Sequence, residues 1–106
     1  MTVKVAKMVT GEQVIADIVD MKDEKGKNIG FKFTYPYSLV MRQTSEKGEP
    51  LKFDINYIAW MSASSSSEFA VPYSGVVTIG EAAKEVTEEY LNQFGSLLED
   101  LTEPEE

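Results

Sequence analysis

The sequence predicts a mainly β fold: a small, strongly bent, five-stranded antiparallel barrel followed by a C-terminal amphipathic α-helix. Three observations predict it. Residues 3–21 read as strand, glycine turn and strand; residues 51–58 alternate apolar and polar side chains with period two; and residues 86–101 place apolar side chains three or four apart. The barrel is expected over residues 1–80, the helix over 81–101 and an acidic tail over 102–106.

Val3, Val5 and Val9 alternate with Lys4, Ala6 and Met8, which suits a strand with one better-buried face. At Thr10-Gly11-Glu12 the chain turns, because Gly11 can take the positive φ of a tight hairpin without a Cβ clash. From Gln13 to Met21 both faces are partly apolar: Val14, Ala16 and Ile18 lie on one, Ile15, Asp17 and Val19 on the other. A strand of that kind belongs inside a curved sheet. Residues 23–28, rich in charge and turn formers, make the next hairpin loop.

Ile29 to Gln43 is a long strand region interrupted by Pro36, which has no N–H to give a ladder and therefore marks a bulge, a bend or an unpaired edge. A second polar turn, Ser45 to Pro50, leads to the alternating strand Leu51-Phe53-Ile55-Tyr57, extended by Ala59-Trp60-Met61. The serine-rich stretch 62–67 has the composition of a surface loop. Phe69 to Ile79 forms the last strand region, broken by Pro72 and Ser74-Gly75. The helix begins near Glu81, with acids in its first turn facing the positive end of the helix dipole. Val86, Tyr90, Phe94, Leu97 or Leu98, and Leu101 make its apolar stripe, and Gly95 weakens or bends it.

With 106 residues, one domain is expected. The chain has no cysteine and no histidine, so disulfides, thiolate metal sites and imidazole chemistry are excluded. No cofactor is expected, and the plain reading is a cytoplasmic protein that is not an enzyme: no apolar run reaches the roughly 18 residues of a membrane span, and the N-terminus has no apolar secretory core. The net charge of −8 is unevenly placed. Residues 1–80 carry nine acids and nine bases, whereas residues 81–106 carry nine acids against Lys84 alone. Such a tail serves solubility and repulsion between copies, or meets a basic protein at the acidic helix. Arg42 is the single arginine, a weak endowment for phosphate contacts.

Asp17, Asp20 and Asp54 are the acids inside expected strands, and no spacing singles out a catalytic pair. Lys4 and Lys7 read as residues that blunt an edge strand. Trp60 with Tyr57, and Tyr35 with Tyr37, could stack bases but read first as core or subunit interface.

Met8-Val9-Thr10-Gly11-Glu12-Gln13-Val14-Ile15-Ala16-Asp17-Ile18 resembles the first signature of the Sm-like (LSm) family, an apolar strand end, a turn glycine, then valine three residues on. Pro72-Tyr73-Ser74-Gly75-Val76-Val77-Thr78-Ile79 is similar to the second, in which glycine precedes a short apolar strand. More loosely, the chain resembles a bacteriophage type of Sm-like protein. The resemblance covers residues 3–79 and implies an SH3-like barrel, a homo-oligomeric ring joined through edge strands, and binding of single-stranded RNA, in the manner of an RNA chaperone. Ring assembly also has a physical motive, since pairing of edges between copies removes exposed ladders.

The same alignment exposes departures. Ala16 stands at the usual glycine of the second strand; the RNA-contacting aspartate falls at Lys22 and the asparagine at Gly26. Asp23 and Asn28 lie close by and are the candidates for those roles. Ser74 stands where the family has an RNA-contacting arginine, and Gly75 alone matches. The candidate RNA-binding residues are therefore Asp23, Asn28, Ser74 and Gly75. A scaffold or protein-interaction ring without RNA is the alternative.

Overall fold

The computed structural model describes the backbone of residues 2–102 and the side chains of residues 2–95. Leu97, Leu98 and Leu101 of the expected stripe, and residues 103–106 of the expected tail, lie outside the described side chains. The elements are β1 (Val3–Met8), β2 (Gln13–Lys22), β3 (Asn28–Gln43), β4 (Phe53–Ala59), β5 (Glu68–Val71), β6 (Val76–Glu81) and α1 (Lys84–Thr102). The strands form one antiparallel sheet in the order β4-β3-β2-β1-β6, with β5 pairing the first half of β3.

The opening hairpin turns as expected. Gly11 has φ +97°, its N–H donates to the Met8 carbonyl at 2.9 Å, and β1 pairs β2 from Val3 opposite Asp17 to Lys7 opposite Gln13.

The expected last strand is two strands, so the sheet has six rather than five. Pro72 cannot donate to a ladder, and a 3-10 turn at Tyr73–Gly75, closed by the Gly75 N–H on the Pro72 carbonyl, redirects the chain. β5 therefore pairs β3, while β6 crosses to the opposite side of the sheet and pairs β1. Among the described residues no ladder joins β4 or β5 to β6, and the sheet keeps two free edges.

Glu81 is the second correction. It ends β6 opposite Lys4, with its carboxylate 2.7 Å from Lys4 Nζ, and α1 starts three residues later with Glu85 as the acid of its first turn. The ladder with β1 and the ion pair hold Glu81 in the strand.

Pro36 sits in a bulge. Ile15 pairs Tyr37 and Asp17 pairs Thr34, so Tyr35 and Pro36 together oppose Ala16, and Tyr35 takes φ +49°. The extra residue reverses the parity of β3. Phe31 and Phe33 point to the concave face, whereas Tyr37 and Leu39, also odd-numbered, point to the opposite one.

Two hydrophobic clusters result. On the concave side, Phe33 and Val14 are fully buried with Ala6, Met8, Ala16, Ile18 and Val71, and Trp60, Val76 and Ile79 pack on them. Each fully buried large side chain there contributes about 1.5–3 kcal/mol. Members from β5 and β6 meet in this cluster, so the sheet curls around it although its edges stay unpaired. On the convex side α1 lies across the sheet, and Tyr90 with Ile15 forms a fully buried pair flanked by Val5, Tyr37, Tyr57, Val86 and Phe94. The Phe94 ring stacks on Tyr37 with centroids 3.9 Å apart.

Candidate functional site

The hairpin tip between β2 and β3 is built by Asp23. Its Oδ1 accepts from the N–H of Lys25 at 2.9 Å and of Lys27 at 3.0 Å, and the backbone closes with Gly26 N–H donating to the Asp23 carbonyl. That oxygen is thus committed to shaping its own turn. The turn lifts Lys22, Lys25 and Lys27 into solvent, where none makes an ion pair among the described residues. Asn28 opens β3 opposite Lys22, with its side chain exposed.

Ser74 is exposed on the 3-10 turn. Gly75 acts through its backbone: its carbonyl accepts the Val9 N–H at 3.1 Å, which ties this turn to the β1–β2 turn. No hydrogen bond or ion pair joins Asp23 or Asn28 to Ser74 or Gly75 among the described residues. The start of β3 meets the 71–73 segment through Gly30 and Phe31. A Cβ on Gly30 would stand 2.7 Å from the Val71 carbonyl oxygen, so only glycine allows β3 to press this closely on the β5 end. Next to it, the Phe31 ring meets Tyr73 edge-on at 5.0 Å, leaving Tyr73 44% exposed. The tip thus presents the ammonium groups of Lys22, Lys25 and Lys27 beside the exposed carboxylates of Asp23 and Glu24 and the Asn28 amide, and Tyr73 keeps an open face on the 73–75 turn.

The aromatic pairs named from the sequence serve packing. Tyr37 and Tyr57 lie under α1, where burial raises the pKa of both phenols, and the Tyr57 hydroxyl donates to the Val86 carbonyl at 3.3 Å. The Tyr35 carbonyl accepts from Tyr90. Trp60 packs between Phe33 and Phe69, and its indole N–H donates to Glu12 Oε1 at 3.0 Å, while Ser38 Oγ donates to Glu12 Oε2 at 3.3 Å.

The acids do not converge. Asp17 is buried and accepts the Thr2 N–H at 2.7 Å, Asp54 lies 3.9 Å from Arg42 at the far end of β4, and Asp20 is exposed on β2. Among the described residues no three of His, Cys, Asp and Glu are grouped to hold a metal ion. No described helix is long and apolar enough to cross a membrane.

A second feature, invisible in the sequence, is a groove of about 700 Å³ on the convex face. Val5, Leu39, Met41 and Ile55 form its floor and far wall, and Ala83 and Val86 of the helix region form the near wall. Lys7, Glu81 and Glu85 stand at its rim.

Gly30, Tyr73 and Glu12 are not among the candidates that the sequence singles out. A glycine inside a strand pattern is a signal of close backbone approach, and Gly30 carried it; nothing local marks Tyr73 or Glu12, whose partners lie 42 and 48 residues away. No protein-family model matches the chain, and no curated protein matches it at a significant level.

Proposed function

We propose that the protein is an Sm-like, non-enzymatic β module that joins copies of itself into a closed ring through β4 and β6 and takes single-stranded RNA on the surface formed by the 22–28 tip and the 73–75 turn. The observation that carries the self-assembly is the pair of free edges on opposite sides of one curved sheet. Each offers a row of unpaired N–H and C=O groups, and a head-to-tail contact between different edges generates a ring when its rotation closes. Support for RNA is the excess of three lysines, Lys22, Lys25 and Lys27, over the two acids Asp23 and Glu24 at the hairpin tip, with Asn28 beside them, and the Phe31–Tyr73 contact that links the start of β3 to the 73–75 turn. Lysines attract phosphates and an exposed ring stacks any base.

Light scattering on a sizing column tests the ring: one defined oligomer is expected, and a strict monomer overturns it. Fluorescence anisotropy with short uridine-rich and adenine-rich RNA across a salt series tests the ligand. Binding that weakens steeply with salt is expected, and none at low salt removes RNA from the reading. A scaffold ring without RNA is the second reading, favoured by the net charge of −8 and by the single arginine standing 3.9 Å from Asp54.

A further inference from the structure

The β3–β4 hairpin outgrows the sheet. β2 pairs β3 only as far as Leu39, opposite Gln13, so residues 40–43 and 53–56 form a two-stranded arm with no third strand. Two-stranded ribbons are marginal in water, and this one keeps apolar side chains in solvent. Leu51 at its tip is 69% exposed and Phe53 beside it 52% exposed. Lys52, between them, makes no ion pair among the described residues.

The convex groove has the opposite properties. Its walls are apolar and its volume is unfilled, and Glu85 at its rim makes no ion pair among the described residues. A Cβ built on Gly80, which lines the same groove, would have nothing within 4 Å. One chain therefore carries an exposed apolar tip with a cation and, toward the base of the same arm where Met41 and Ile55 line it, an open apolar seat with Glu85 and Lys7 at its rim.

We infer that the groove seats the arm tip of a second copy, with Leu51 and Phe53 entering between α1 and β3 and Lys52 meeting Glu85. The inference rests on the edge pairing proposed above and gives it a side-chain lock. Phe53 is the first residue of β4, so an edge contact made by β4 carries the tip into the neighbour with it. The tip alone is too small to hold two copies together, because a stable interface buries about 800 Å² per partner and an aromatic side chain supplies about 150–250 Å². It acts as the anchor of a larger contact, in which a few buried aromatic or aliphatic groups carry most of the energy.

The chain contains no cysteine, which makes directed cross-linking clean. A full-length double variant, Leu51→Cys with Ala83→Cys, is oxidised mildly and run on a non-reducing gel beside a control with Leu51→Cys and Lys25→Cys. A ladder of covalent multimers from the first pair and not from the control is expected. In parallel, Leu51→Ser with Phe53→Ser, both at exposed positions, is expected to raise the concentration at which the oligomer dissociates by about tenfold or more. An oligomer that persists with neither the ladder nor the shift overturns the arm-in-groove inference and leaves edge pairing standing. A monomer at all concentrations overturns both.

Discussion

The Tyr90 hydroxyl donates to the Tyr35 carbonyl across 2.8 Å, so that the middle of α1 is bonded to the one non-glycine residue in the sheet with a positive φ. A second, longer contact reaches the Thr34 carbonyl at 3.5 Å. The bulge that reverses the parity of β3 and the helix that covers the reversed face are therefore held by one phenol. Tyr90→Phe keeps the ring and removes the donor; urea denaturation is expected to show a loss of about 1–2 kcal/mol with an unchanged m-value.

The same phenol makes stability alkaline-sensitive. Burial, then the neighbouring Asp17 carboxylate, raises the Tyr90 pKa well above the usual 10. The folded state thus prefers the protonated form, and its contribution is complete below pH 10 and lost as pH rises from there toward the folded pKa. Stability is expected to fall by up to about 1.4 kcal/mol per pH unit for this group above pH 10. Tyr37 and Tyr57 shift in the same direction, so Tyr90→Phe is expected to reduce the slope without abolishing it. An identical slope in wild type and variant would count against the assignment.

Gly30→Ala places a methyl group 2.7 Å from the Val71 carbonyl oxygen, and both sides of the contact are backbone. The β3–β5 ladder must move apart, at a cost of about 1–3 kcal/mol. Hydrogen exchange is expected to quicken at Phe69 and Val71 and to stay unchanged in β4.

Glu12→Ala removes the acceptor of the Trp60 indole N–H and of Ser38. Since Trp60 is the single tryptophan, its fluorescence reports directly. A red-shifted emission and a loss of about 1–2 kcal/mol are expected, with Glu12→Gln closer to wild type.

Ile15→Ala opens a cavity against Tyr90 on the face under α1 and is expected to cost about 2–5 kcal/mol in a urea titration. The conservative Ile15→Val is expected to cost about 0.5–1.5 kcal/mol.

The parts of this fold that could be read from the sequence are those fixed by local chemistry. Gly11 takes its positive φ, Pro36 sits in a bulge, both faces of β2 are covered, and Val86, Tyr90 and Phe94 line the buried side of the helix. The sixth strand was hidden because Phe69 to Ile79 reads locally as one interrupted strand, and the choice of β3 for one half and β1 for the other depends on partners far away in sequence. The helix start is hard to read for a related reason: Glu81 looks like a first-turn acid until Lys4 is known to lie opposite. At the candidate site the polar tip was legible as a loop, yet the inward commitment of the Asp23 carboxylate and the contribution of Tyr73 appear only in three dimensions. The groove follows from the register of five strands and a helix, and no window of sequence contains it.

β2 is the wall common to both hydrophobic clusters: Val14, Ala16 and Ile18 face one and Ile15 the other. A helix packed on a finished domain could detach and leave the domain folded, but a helix that completes the second face of a shared strand cannot. Loss of α1 would expose Ile15, Tyr37 and Tyr57 and loosen the strand from which the concave cluster hangs. Sheet and helix should consequently melt as a single cooperative unit, with far-ultraviolet and tryptophan signals tracing the same transition.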